Sequence, residues 1–154
     1  MRAPFTRGAM RRRGFSLLEM LAVLAIVALL GGMASQVVRR PSPRLRVESA
    51  TRSLCAGLRA TRMRAIATAS EQALTIDLRR KAFFSPAIAT TALPEDAAIE
   101  LAVSARERTE PSRGAISFFP DGGSSGGGLT IGLSGARAEI AVNWLTGATR
   151  CALR

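Results

Sequence analysis

The chain has 154 residues, enough for one small domain with a modest core once any membrane segment is set aside, and too few for a large multidomain enzyme. Its 22 Lys+Arg against 11 Asp+Glu give +11, nearly all from arginine, a balance that favours anionic partners: lipid headgroups, nucleic acid or acidic proteins. It has no histidine, no tyrosine and a single lysine, so the commonest general base and metal ligand is missing, and no catalytic residue, metal or cofactor is expected.

The charge is uneven. Arg2, Arg7, Arg11, Arg12 and Arg13 stand ahead of the first apolar run, so a chain starting at Phe15 carries 17 basic against 11 acidic residues, net +6. From Phe15 to Ala34 the sequence is apolar apart from Ser16 and Glu19, and about 20 residues is the length a helix needs to cross a bilayer core. A membrane helix is the expectation. A secretory signal peptide has a shorter apolar core followed by a small-x-small cleavage site; Gly31, Met33, Ala34 and Ser35 imitate such a site, but the run continues toward Arg39 and Arg40. Inside an apolar helix a carboxylate costs roughly 2.5 to 3.5 kcal/mol, less near the interface. Glu19 therefore needs either a partner that offsets this cost or a snorkelling position at the membrane surface.

Arg11-Arg12-Arg13-Gly14, then Phe15-Ser16-Leu17-Leu18-Glu19, then an apolar helix, resemble the type III-like signal of type IV prepilins and type II secretion pseudopilins. The resemblance implies that a prepilin peptidase at the cytoplasmic face cuts between Gly14 and Phe15 and methylates the Phe15 amine. Glu19 becomes the fifth mature residue. In that family the glutamate there helps a subunit enter the filament, with the Phe15 ammonium of a neighbour as its partner in a low-dielectric core. Ser16 stands where threonine is often found, a conservative exchange. Arg39, Arg40, Arg44 and Arg46 follow the anchor, so the positive-inside count does not choose an orientation. It is the resemblance that implies a single-pass protein of the bacterial inner membrane with its C-terminal domain in the periplasm.

Pro41 and Pro43 interrupt any helix leaving the membrane, and Ser42 to Ser70 then reads as an amphipathic helix with Val47, Ala50, Leu54, Leu58 and Ala65 near helical spacing. Arg39 to Arg64 holds eight arginines and one acid, Glu48. Such a segment is a solvated charged face, or a surface for anionic lipid, acidic filament neighbours or DNA.

Beyond Glu71 the period falls to two: Leu74, Ile76 and Leu78; Ile99, Leu101 and Val103; Ile116 and Phe118; Leu129, Ile131 and Leu133; Ile140, Val142 and Trp144. The last series favours a core position for Trp144 over an exposed recognition residue. Arg79-Arg80-Lys81, Pro120 to Gly123, Ser134 to Ala136 and Thr146-Gly147 carry turn chemistry, and Thr90 to Asp96 reads as a longer connection. Gly122 to Gly128 lacks the Lys-Ser/Thr ending of a phosphate loop and reads as a hairpin connection. The predicted fold class is α+β: a long N-terminal transmembrane and stalk helix, then a small antiparallel β domain of one or two sheets. The expected divisions are a leader over 1–14, an anchor over 15–36, a stalk helix over 42–70 and a β domain over 71–154.

Cys55 and Cys151 lie far apart and form no CxxC or metal-ligand spacing. In an oxidising compartment a bond between them closes a loop worth roughly 4 to 5 kcal/mol in the chain-entropy model. The alternative is two unpaired thiols, one or both buried.

Ile116 to Gly127, a strand, then Ile140-Ala-Val-Asn-Trp-Leu-Thr-Gly, is similar to the end of GspH/FimT-type minor pseudopilins and minor pilins. The ending is closer to the secretion branch. The resemblance implies a non-enzymatic minor pseudopilin of the type II secretion system, built into an envelope-spanning pseudopilus that supports protein export. Its partners would be the other pseudopilins, major and minor, the prepilin peptidase, the inner-membrane assembly platform and membrane lipid. The alternative is a FimT-like minor type IV pilin whose basic surface binds DNA for uptake. A tethered hydrolase using Asp77, Asp121 or a glutamate with a serine is a remote third reading. Residues 82–113 match no motif, and their role stays open.

Overall fold

The computed structural model describes residues 16–37 and 41–154, with side chains described over 16–29 and 41–154. It divides into two compact units, Met1–Arg40 and Pro41–Arg154. The described part of the first unit is helix α1, Leu17–Val37. Leucine, alanine and methionine lose little rotamer freedom in a helix, and the Ser16 carbonyl accepts from the amides of Glu19 and Met20 to start it. Leu17, Leu18, Leu21, Leu24, Val27 and Leu29 are all exposed within the unit, so α1 is apolar on every side rather than along one stripe, the pattern of a helix built to be covered. Among the described residues, no helix is long and apolar enough to cross a membrane; the described side chains of α1 stop at Leu29. Gly14 and Phe15 lie outside the described residues.

The second unit begins with helix α2, Pro43–Thr68. Ser42 caps it through a hydrogen bond from the Leu45 amide, with proline at the first turn where its missing N–H costs nothing. It ends at Ala69, in the left-handed conformation, whose N–H returns to the last turn. One face is buried: Val47, Ala50, Thr51, Leu54, Cys55, Gly57, Leu58, Thr61 and Ala65. Thr51 and Thr61 sit on that face because their hydroxyls donate to the carbonyls of Val47 and Gly57, one turn back.

Eight antiparallel strands follow, in two sheets. The first has the order β3-β2-β1-β5, from Ile88–Ala92, Ala82–Ser85, Gln72–Asp77 and Arg113–Phe118. The second has the order β4-β6-β7-β8, from Ala98–Ala102, Gly127–Leu133, Ala136–Val142 and Thr149–Leu153. A single 3-10 turn, Ala105–Glu107, stands between β4 and β5. Helix α2 lies against β1, β2, β3 and β5 of the first sheet and β6, β7 and β8 of the second. One core results, with Leu54, Leu58, Leu74, Phe83, Ile116, Phe118, Ile131 and Ile140 in its cluster. At Gly57 an added Cβ would lie 2.8 Å from Ile88 Cδ1 and 3.2 Å from Phe83 Cε2, so helix and sheet approach closely here and a larger residue would have to displace these side chains.

The helix followed by antiparallel sheets matches the expected α+β class. Three details differ. Gly122 to Gly128 is not a hairpin connection: β5 pairs with β1, while β6 pairs with β4 and β7, so the segment carries the chain from one sheet to the other. The positive φ of Gly122, Gly126 and Gly127 makes that change of direction possible. Strand β3 runs to Ala92, so the connection read over Thr90 to Asp96 begins later. Trp144 is 67% exposed, because β7 ends at Val142 and the alternation stops there. Asn143 Oδ1 instead accepts from the amides of Leu145 and Thr146, turning the chain and leaving the indole outside.

Leu58 is 1% exposed and sits where α2 meets the core. Leu58→Ala is expected to destabilise the second unit by about 2 to 5 kcal/mol. Thermal unfolding of the full chain in detergent should show the lower midpoint, whereas Arg59→Ala on the exposed face should leave it nearly unchanged.

Candidate functional site

The residues singled out in the sequence fall into separate places. Glu19 is in the first turn of α1, exposed within its unit, at the helix end whose dipole favours a negative charge. It takes part in none of the ion pairs formed among the described residues. Its proposed partner, Phe15, is outside the described residues, as is Gly14. Cys55 on α2 and Cys151 on β8 face each other with their Cα atoms 6.8 Å apart and their sulfurs bonded, a crosslink over a sequence separation of 96. That bond attaches the last strand, an edge strand of its sheet, to the helix that organises the core.

The carboxylates considered for hydrolysis hold turns. Asp77, at the end of β1, is buried; its Oδ1 accepts from the amides of Arg79 and Arg80, each at 3.0 Å, and its Oδ2 accepts from Arg113 Nη2 at 2.8 Å. The Arg113 guanidinium first, then these amides, hold the Asp77 carboxyl below the usual carboxylate range. Asp121 Oδ1 accepts from the Gly123 amide and shapes the turn after β5. One serine meets a glutamate: Ser117 Oγ donates to Glu107 Oε2 at 3.1 Å, tying the 3-10 turn to β5. Ser117 is buried, and no histidine exists in the chain to complete a charge-relay arrangement around it. Among the described residues, no group of three or more His, Cys, Asp or Glu is placed to hold a metal.

The basic face of α2 is partly used. Arg46 forms a two-pronged pair with Asp96, at 2.8 and 2.6 Å, which joins the helix to the β3–β4 connection. Arg52 pairs with Glu48 one turn away. Arg62 Nε donates to the Gly122 carbonyl at 2.9 Å, fastening the glycine-rich crossover to the helix. Arg44, Arg59 and Arg64 are exposed and meet no carboxylate among the described residues. Arg39 and Arg40 lie outside the described residues.

The pattern favours the core for Trp144, but Trp144 and Leu145 at the β7–β8 turn are both 67% exposed, and Leu145 was not singled out by its sequence. The Asn-x-x-Thr-Gly turn chemistry around them was the available signal: Asn143, Thr146 and Gly147 end the strand before the indole.

A methylation-type head on an apolar helix, followed by a helix packed on two antiparallel sheets, is the arrangement of a prepilin-like subunit. Residues 9–35 match the model of the prokaryotic N-terminal methylation motif. The chain is 35% identical over 148 residues to type II secretion system protein H of Xanthomonas campestris pv. campestris, which covers 96% of this chain and 86% of that protein. Its fold is similar to that of the minor pseudopilin EpsH from the Type 2 Secretion System of Vibrio cholerae, with a TM-score of 0.55 and 12% identity, over 70% of this chain and 97% of that one. The chain belongs to the type II secretion system protein H family.

The lowered Asp77 carboxyl fixes a sign. Its contribution to stability is present above the ordinary aspartate range and is lost as pH falls through its folded value. The melting-temperature gap between the native chain and Asp77→Ala should therefore be constant near neutral pH and shrink below about pH 4. A gap that widens in acid would contradict the ion-paired role.

Proposed function

We propose that this chain is a minor pseudopilin: a subunit cut after Gly14, methylated on Phe15, held in the bacterial inner membrane by residues 15–36 until assembly, and then built into a periplasmic pseudopilus that supports protein export. The methylation-motif match over residues 9–35 carries this reading. Family membership and the apolar run from Phe15 to Ala34 support it. The stalk over 42–70 and the β domain over 71–154 form the part that projects into the periplasm, where an oxidising environment suits the Cys55–Cys151 bond.

The physical logic of assembly lies in α1. A helix that is apolar on every side can leave lipid for a bundle of like helices at little net hydrophobic cost, because lipid tails and leucine side chains are similarly apolar. Register then has to come from something polar. Glu19 supplies it: a carboxylate near the head of the helix, drawn to the Phe15 ammonium of a neighbour where the dielectric is low. Nothing in the reading asks this chain for chemistry of its own; the peptidase and the assembly platform do the covalent and mechanical work, and neighbouring major and minor pseudopilins complete the filament.

Intact and N-terminal mass analysis, with and without a prepilin peptidase, tests the proposal. The expected product begins with N-methylated Phe15 and is abolished by Gly14→Val. Glu19→Val should be cut and methylated normally yet vanish from sheared, sedimented filaments. An uncut native chain, or one cut after Ala34, would sink the reading.

A further inference from the structure

The glycine-rich crossover and the β7–β8 turn together enclose an open groove of about 840 Å³, lined by Ser125, Gly126, Gly127, Asn143, Trp144 and Arg150 among others. Its floor is bare backbone: a Cβ at Gly126 would lie 3.0 Å from Trp144 Cβ. Trp144, which lines the groove, and Leu145, next to it in the chain, are both 67% exposed. None of the core residues needs them there, and an exposed tryptophan beside an exposed leucine is a costly surface unless something covers it.

The charge in the groove's lining is positive. Arg150 lines the groove, and Arg62 lies against Gly122 and Gly147 at its border. Neither meets a carboxylate among the described residues, whereas Arg46, Arg52, Arg113, Arg137 and Arg154 all do. Asp121 is the nearby acid, and its Oδ1 already accepts from the Gly123 amide. A surface of this kind fits a polypeptide segment that presents carboxylates around an apolar side chain.

A second copy of the chain fits poorly. Its acids Glu48, Asp77, Asp96, Glu100, Glu110 and Glu139 are engaged in ion pairs of its own, and the exposed acids beyond α1 that are not, Glu71, Glu95 and Asp121, have no large exposed apolar side chain next to them in the sequence. Single-stranded nucleic acid would use a run of aromatic platforms along a basic track, but the groove is lined by one aromatic ring, Trp144.

We propose that the groove between Gly126 and Arg150, with Trp144 in its lining and Leu145 beside it in the chain, docks an acidic, apolar-anchored segment of a different protein chain. The apolar side chain rests on the Trp144 indole and Leu145, and a flanking carboxylate pairs with Arg150. The proposal rests on the filament reading above, which places other chains beside this one; the groove specifies what a neighbour must present.

Trp144 is the only tryptophan in the chain, so its fluorescence reports this surface alone. The experiment titrates the full chain in detergent micelles with an acetylated Glu-Leu-Glu-Leu-Glu-Leu peptide. The expected result is a saturable shift of emission to shorter wavelength, weakened at least roughly fivefold by Arg150→Gln and by Leu145→Ser, and largely lost with the Gln-Leu version of the peptide. Both substitutions are at exposed positions, and circular dichroism verifies that each variant is folded. The proposal is overturned by an absent shift or by equal binding of the Gln-Leu peptide. It is also overturned by a shift that follows protein concentration alone, which marks self-association, or by an Arg150-dependent shift with oligo-dT, which marks a nucleic-acid site. Each outcome is independent of whether Phe15 is processed, so failure here is separable from failure of the pseudopilin reading.

Discussion

Everything in the second unit depends on one buried helical face. No strand of either sheet pairs with a strand of the other among the described residues; Leu101 of β4 packs on Gly114 of β5, and α2, whose stripe runs from Val47 to Ala65, lies against both sheets. Burying a leucine or valine is worth roughly 1.5 to 3 kcal/mol, so Val47, Leu54 and Leu58 alone supply a sizeable part of what a small domain has to hold it together. The chain's path reinforces the point. It changes sheet between β3 and β4, between β4 and β5, and again between β5 and β6, and each passage has its own fastening: Arg46 to Asp96, Glu107 to Ser117, and Arg62 to Gly122. Two of the three fastenings reach back to α2.

Polar groups follow a division of labour that matters for function. Asp77, Asp121 and Asn143 spend their oxygens on amides of their own turns, and the Cys55–Cys151 bond clamps an edge strand that would otherwise fray. These groups are committed to shape. What is left uncommitted at the surface is cationic and apolar: exposed arginines along α2, and Trp144-Leu145 beside Arg150. Those are the properties of a part that is recognised by other parts.

Most of this plan was readable in the residues. The 3.6-residue stripe of α2 and the period-two runs at Leu74–Ile76, Leu129–Leu133 and Ile140–Val142 each place one face in the core, so composition and period agree there with packing. Strands β2 and β3 escaped because Ala82 to Ala92 has no alternation: Ala82, Phe83 and Ser85 are all buried while Phe84 is exposed, and a register shift interrupts the β2–β3 ladder. Strand β8 escaped because its half-buried side chains owe their position to β7 and to the Cys55 bond, both distant in sequence. The glycine-rich crossover and Trp144 were misread for one reason. Local pattern does not say which sheet a strand joins, nor that Asn143 would end the alternation one residue before the indole. The candidate site divides the same way: Gly14, Phe15 and Glu19 lie within the short stretch that matches the N-terminal methylation motif, whereas the Arg150–Trp144 groove is assembled by two segments that meet only in the fold.

Helix α2 makes one cooperative body of the two sheets. Native-state hydrogen exchange on the full chain measures this directly. The amides of α2, of β1 and β5, and of β6 and β7 should share one opening free energy, and Leu58→Ala should lower all of them together. If the β6–β7 amides kept their protection while those of β1 and β5 lost theirs, the sheets would be independent bodies and the account would be wrong.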